Sequence, residues 1–558
     1  MIKVIFVNLL LLIIAMAMPS LALDVPTSAE SERITPLQKS LLPQRIGDED
    51  VKMPRSLSGL STPPKGAKEI VFVLRGVEVD GMTAFSKSEI SAIYDKYLDK
   101  EISLDVIWLI ANEITEKYHN EGYFLSRAFI PAQETESGIV IIRVVEGYIG
   151  EVILDDDDLS NEWLIKREIR KIAEAKPIKA QEIESFLLKL NDLPGVTFRA
   201  VLEALLDNEG GVRLNLLAND EAGVGMISYD NFGSRYLGPY QLNFNYHDSL
   251  ISLQNTNISL LATTPSDELK YIALSHQIPI LAGLNLELGG SYVKAAPGFS
   301  LENDEIRSDS VNASLGLNYQ AIRQREENLL LNLVLDAKNT NSETLGAPLT
   351  RDRIRALRFG AYYDTSDEWS GYNYFNFVVS RGLGIFGASE DGDLNLSRAQ
   401  AEEDFIKLEA YYTRMQTVTD DILAIASVSG QLSSGALFSS EEYGYGGQGF
   451  GRAYDASEIA GDEGVSASLE MRYLGVENIE NIRLVPYAFY DIGRVYNDDI
   501  AQIGQISASS AGLGIYAAHE SGVAVNLGVA LPLTKTTDAP QLGSEKNPRI
   551  LFSVKKTF

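Results

Sequence analysis

From residue 240 onward, apolar and polar positions alternate with a period of two. Tyr240, Leu242, Phe244 and Tyr246 take turns with Gln241, Asn243, Asn245 and His247. Val311, Ala313, Leu315, Leu317 and Tyr319 do the same against Asn312, Ser314, Gly316 and Asn318, and Leu329, Leu331, Leu333 and Leu335 oppose Asn332 and Asp336. Successive strand residues point to opposite faces, so each run carries one apolar and one polar face. Recurring from about residue 223 to the end, the pattern predicts lipid outside and water inside, a transmembrane antiparallel β-barrel. At roughly 20 residues per strand and connection, it allows about 16 strands. A soluble sandwich has the same period, but the length of the region and its ending favour the barrel. The final stretch, 549–558, sets Ile550, Phe552, Val554 and the terminal Phe558 on one face, interrupted by Lys556.

Before residue 223 the period is helical. Residues 86–98 and 104–118 have helix spacing, with Ser86 and Glu89 in capping-box positions and Ile107, Ile110, Ala111 and Ile114 on one stripe. A strand at 69–75, closed by Gly76, precedes them, and strands at 124–130 and 138–145 follow. The order then repeats: strand 149–154, helices 162–175 and 180–191, strands 195–204 and 211–218, with Gly122 and Gly195 in matching places. Such βααββ units present a sheet edge able to add a strand from another chain. The acidic run 155–158 reads as a solvated loop, because it lacks the ligand spacing of a calcium loop.

Further upstream, Lys3, the apolar run 4–18 and Pro19-Ser20-Leu21-Ala22 read as a secretory signal peptide over 1–22, too short to span a bilayer as a helix. Residues 23–66 are polar, broken by Pro26, Pro36, Pro43, Pro54, Pro63 and Pro64, and read as a linker in which 27–34 and 37–42 have weak helical character.

Composition narrows the function classes. The 558 residues carry a formal net charge of −29, which argues against nucleic-acid binding. There is no cysteine, so disulfides, thiolate metal sites and cysteine nucleophiles are excluded. The four histidines, His119, His247, His276 and His519, have no metal-ligand spacing. No phosphate-binding glycine loop or nucleophile elbow occurs. Glu390-Asp391-Gly392-Asp393 reads as a solvated surface loop. No catalytic residue, cofactor, metal or small-molecule substrate is expected.

The alternation is interrupted by Gly446-Gly447-Gln448-Gly449-Phe450-Gly451-Arg452-Ala453-Tyr454-Asp455, closed by Gly461-Asp462-Glu463-Gly464. Strand-like runs at 423–428 and 465–473 flank it. A long irregular loop between strands carries function or is disordered, and Phe450 and Tyr454 are anchors that a solvated loop would not need. Gly449 and Gly451 allow tight turning and present Arg452, the single cation of the stretch. Downstream, in 486–495, Tyr487, Phe489 and Asp491 share one face of a strand.

These two motifs resemble the loop tip and strand of the two-partner secretion transporters, the ShlB/FhaC/HecB family of the POTRA-plus-barrel superfamily that includes BamA. In that pattern a loop reading roughly Val-Arg-Gly-Tyr enters the lumen, and its arginine meets the aspartate of Phe-x-Asp-x-Gly. Arg452 and Tyr454 match, Gly451 and Ala453 depart, and Phe489, Asp491 and Gly493 match. The lumen site implied by the resemblance comprises Gly449, Phe450, Arg452, Tyr454 and Asp462 with Phe489, Asp491 and Gly493. Residues 229–235, Ser380-Arg381-Gly382-Leu383, Gln431, Leu437 and Glu442 also fit, and the terminal Phe558 resembles an outer-membrane assembly signal.

The two βααββ units resemble POTRA domains. The implied organisation is signal peptide 1–22, linker 23–66 with a possible plug helix over 23–45, POTRA 1 over 67–146, POTRA 2 over 147–222 and barrel over 223–558. The resemblance also implies 16 strands, periplasmic POTRA domains and an outer-membrane location. Its implied partners are an unfolded secreted protein, outer-membrane lipid and the barrel assembly machinery. An assembly factor like BamA or TamA is the alternative, and a passive porin a more distant one. In a wet lumen the Arg452–Asp491 pair would stabilise by only about 0–1 kcal/mol.

Overall fold

A computed structural model describes residues 25–30, 61–133, 137–205, 208–251, 253–498, 504–535 and 546–558. Two small α+β units lead into a closed antiparallel barrel of 16 strands. Among the described residues, no helix is long and apolar enough to cross a membrane.

In the first unit, the stripe Ile107, Ile110, Ala111, Ile114 and Tyr118 of the helix Asp105–Asn120 packs with Val140, Ile142 and Val144 of the strand Ile139–Val145. Ser86 caps the helix Lys87–Tyr94 in a capping box with Glu89. The expected single opening strand is instead two. Val71–Leu74 pairs with Lys100–Ser103 in a separate sheet, while Gly76–Asp80 runs parallel to Ile139–Val145 in the main one. Gly76 thus opens the sheet strand rather than closing a strand; Val77 and Val79, alternating with Glu78 and Asp80, drive it.

The second unit lays the helices Trp163–Glu174 and Ala180–Asn191 against a sheet ordered Tyr148–Leu154, Gly211–Asp220, Val196–Ala204. The acidic run is partly structural: Asp156 caps the short helix Asp157–Asn161, and Asp155 accepts the Ala218 amide at 2.9 Å. This unit is joined to the barrel by contact as well as by chain. Leu253, in the turn after the second barrel strand (Gln241–Ile251), is buried within its core beside Leu193 and Val196. Arg323, ending the sixth strand (Arg307–Arg323), donates from Nε and Nη2 to the Asp192 carboxylate at 2.7–3.1 Å.

Around the barrel the registers set the predicted apolar faces outward. Strand lengths are unequal, from 7 residues in the first (Val224–Asp230) to 20 in the eighth (Ala347–Ser366). The seventh (Glu327–Thr344) and eighth pair over eighteen residues. The last (Arg549–Thr557) closes on the first over five.

Candidate functional site

The eleventh strand (Ile422–Ser433) ends away from the α+β units. Instead of turning tightly into the twelfth (Glu463–Tyr473), residues 434–462 fold back into the lumen. A small antiparallel pair, Tyr443–Tyr445 with Ile459–Gly461, stiffens this loop. At its tip Gly451 adopts φ +77°, and a Cβ there would press on the Tyr445 ring at 2.7 Å. Gly493, on the thirteenth strand (Ile482–Tyr496), forms the floor under that ring, where any side chain would overlap it. Gly449 has no such constraint: its φ is not left-handed and it faces open space, so the expected need for glycine there does not hold.

Arg452 meets Asp491. Its Nε and backbone amide both donate to Asp491 Oδ2 at 3.1 Å, and its Nη2 donates to Oδ1 at 2.9 Å. Nη2 also reaches Ser468 Oγ at 3.1 Å, Nη1 donates to Glu470, and the guanidinium lies 3.5 Å from the Phe489 ring centroid. The Gly451 amide donates to Asp491 Oδ2 at 3.2 Å. Two parallel guanidinium bonds fix direction as well as distance.

The expected wet surroundings are corrected here. The Arg452 and Asp491 side chains are 10% and 0% exposed, because Tyr445, Tyr454, Tyr487, Phe489 and Val495 form an apolar cluster inside the lumen, with Phe450 packed against it. Breaking a buried pair costs about 3–5 kcal/mol, several times the surface value. Glu470, a second acceptor for Arg452, was legible only from register: it sits opposite Phe489, on the same inward face as Ser468.

Further charged contacts hold the loop, and of their members the sequence motifs announce Asp462 but none of the cationic partners. Glu441 accepts from Arg358 of the eighth strand at 2.7 and 3.0 Å and from Lys407 of the tenth (Ile406–Thr419) at 2.8 Å. Asp462 is fully buried, accepts from both Arg398 Nη atoms (Nη2 at 2.8 Å) and takes the Leu437 and Asp498 amides at 2.7 and 2.8 Å. Asp455 lies 3.1 Å from Arg549 of the last strand. Gln431 donates to the carbonyls of Glu441 and Asp462 at 3.0 and 2.9 Å. Each partner is an isolated charge on an otherwise polar strand face or in a loop, and only the closed barrel brings it to the loop.

Tyr454 is buried, its single hydroxyl proton shared between the carbonyls of Ser509 and Lys535, both at 3.0 Å. Phe558 pairs with Gly225 through both backbone bonds, 2.8 and 2.9 Å, at the end of the seam nearest the α+β units. Of the linker, residues 25–30 lie inside the outer end. Ala29 packs with Tyr236, Leu301 and Ile306, and Thr27 Oγ1 donates to the Ser457 carbonyl of the lumen loop at 2.6 Å. Residues 27–29 form one 3-10 turn; the signal peptide and the rest of the suggested plug helix lie outside the described residues.

Residues 72–147 match the family model of the ShlB-type POTRA domain, and residues 212–516 that of the haemolysin secretion/activation protein ShlB/FhaC/HecB. The chain is 26% identical over 470 residues to the heme/hemopexin transporter protein HuxB of Haemophilus influenzae, covering 81% of each. It is 22% identical over 443 residues to the outer membrane transporter CdiB of Dickeya dadantii, 76% of each. Its fold superposes on the solved CdiB of Escherichia coli with a TM-score of 0.71 at 19% identity, over 91% of this chain and 94% of that one.

Proposed function

The chain belongs to the ShlB/FhaC/HecB family of haemolysin secretion/activation proteins, and from that premise we propose that it exports one large partner protein through its own barrel. It is an outer-membrane transporter of the two-partner secretion type. That membership sets aside the assembly-factor and porin readings.

The observation that carries the proposal is a closed barrel whose lumen is occupied by the chain's own loop and whose entrance is docked to an α+β unit. Both α+β units act as periplasmic POTRA domains, 67–146 and 147–222, and take up the unfolded partner, in part by strand addition. Among the described residues, the edge strands Arg127–Phe129 and Val196–Ala204 each have one side without a ladder neighbour. The partner then passes along the polar inner faces, and the lumen loop shifts to admit it. Arg452, Asp491, Glu470, Phe489 and Gly493 seat that loop between transits. Membrane lipid surrounds the outer face, and the barrel assembly machinery reads the terminal Phe558. Folding of the partner outside the cell supplies the driving force, and no step requires catalysis.

The test is reconstitution of export. The chain is produced in turn with each large secreted protein of its source genome, and that protein is assayed in the medium. Export should require the transporter and should stop on deletion of 67–222 while the barrel remains inserted. Undiminished export without those units would overturn the reading.

A further inference from the structure

Arg549 stands at the junction of three parts of the molecule. It is 3% exposed and lies on the last strand. Its Nη1 donates to the Tyr454 carbonyl and lies 3.1 Å from Asp455 Oδ1, both in the tip of the lumen loop. Its Nη2 donates to the carbonyls of Asn231 and Gly233, just beyond the first strand, at 3.0 and 3.1 Å.

Strand pairing across this seam stops at Ser553–Asp230, with five residue pairs against eight at the neighbouring junction of the fifteenth strand (Val523–Pro532) and the last. Above that point the closure is made largely by side chains. Asn231 donates from Nδ2 to the Ile550 carbonyl at 2.6 Å and accepts the Phe552 amide at 2.9 Å, beside one backbone bond from the Asn231 amide to Phe552. Arg549 supplies the next contacts upward. A buried guanidinium is tolerated only when its charge and hydrogen bonds are met, and here the carboxylate comes from the loop while two carbonyls come from the first strand's end.

We propose that Arg549 is a positioning residue that couples the lumen loop to the barrel seam. When the tip leaves, Arg549 loses the Asp455 carboxylate and the Tyr454 carbonyl, and the grip on Asn231 and Gly233 weakens with them. By reciprocity, loosening the seam releases the tip. Arg452 seats the loop against the twelfth and thirteenth strands, whereas Arg549 ties the same loop to the one junction where the barrel closes on itself. The inference rests on this geometry and not on the identity of the exported protein.

The chain has no cysteine, so introduced thiols report alone. Tyr229→Cys with Val554→Cys places a disulfide across facing residues of the seam, and Ala453→Cys, buried in the tip, reports loop release by maleimide labelling of its peptide. In the full-length protein in outer membranes, oxidising the seam pair should slow labelling at 453 by at least about 5-fold, the low end of coupling between sites. In Arg549→Gln the same lock should leave the rate unchanged. Asp455→Asn keeps the seam bonds of Arg549 but removes the loop carboxylate, and it should also abolish the effect should Arg549→Gln fail to insert. Equal rates with and without the lock in the parent, or a lock effect surviving in either variant, would overturn the coupling.

Discussion

Arg452 exchanges water for two carboxylates, a hydroxyl and an aromatic face, and the two alanine variants of its pair are not equivalent. Arg452→Ala leaves Asp491 buried without its cation, while Glu470 keeps Arg472 at 2.7 Å. Asp491→Ala leaves Arg452 with Glu470 still in contact. Both should unseat the tip and reduce export, Arg452→Ala more strongly, by about 3–5 kcal/mol of loop seating against a smaller loss for Asp491→Ala. Arg452→Lys should recover only part, since an ammonium cannot span both carboxylates as a fork. The amount of inserted barrel and its heat-modifiable migration should be unchanged, because no ladder bond is touched; export assays beside that migration check both halves. At this scale the motif made Arg452 and Asp491 legible. Glu470, Glu441 and Arg549 were not, because their roles depend on which strands face one another across the lumen, a non-local fact.

At the scale of elements, two joints draw attention. Glu146, just beyond the strand Ile139–Val145, accepts from the amides of Thr83 and Ala84 at 2.7 and 2.8 Å, from the Thr83 hydroxyl, and from the Tyr118 hydroxyl at 2.7 Å. Burial pushes this carboxyl up, but the hydrogen bonds outweigh it and hold the group below its ordinary range. A depressed carboxyl contributes stability that is fully present above its unfolded value and lost as pH falls through the folded one. The first α+β unit should therefore lose stability below about pH 4.5, and Glu146→Gln should flatten that dependence; urea midpoints of fragment 61–222 between pH 3 and 7 check it. The other joint is Leu253. Leu253→Asp would set a carboxylate among Leu193, Val196 and their neighbours, so the second unit should come off the barrel rim. Proteolysis near residue 222 should then accelerate several-fold while the barrel stays intact. The helices of both units were readable because apolar stripes at helical spacing are local. Val71–Leu74 lies within the strand expected over 69–75, whereas Gly76–Asp80 and Lys100–Ser103 escaped notice because four or five residues carry too little periodicity, and a separate two-stranded sheet has no local signature.

Across the whole molecule, the barrel was the most legible feature, since the period of two repeats through strand after strand and small errors in strand ends do not alter it. Of the apolar cluster inside the lumen the motifs made Tyr454 and Phe489 legible, whereas Tyr445 and Val495 were hidden by the same rule, because inward residues were read as polar. The unequal strands carry one more consequence. On the seventh strand the outward apolar residues run from Leu329 to Ala337, about 26 Å of strand at about 3.3 Å per residue. On the last strand they run only from Ile550 to Val554 before Lys556, about 13 Å. At a strand tilt of about 40° these stretches stand about 20 and 10 Å along the membrane normal, so against an apolar band of about 25 Å the first side comes near and the second falls well short. Hydrophobic mismatch of that kind is relieved by local thinning, at a fraction of a kcal/mol per ångström. The barrel therefore sits in the membrane with one shallow flank, and the lipid dips beside the strands that close the ring.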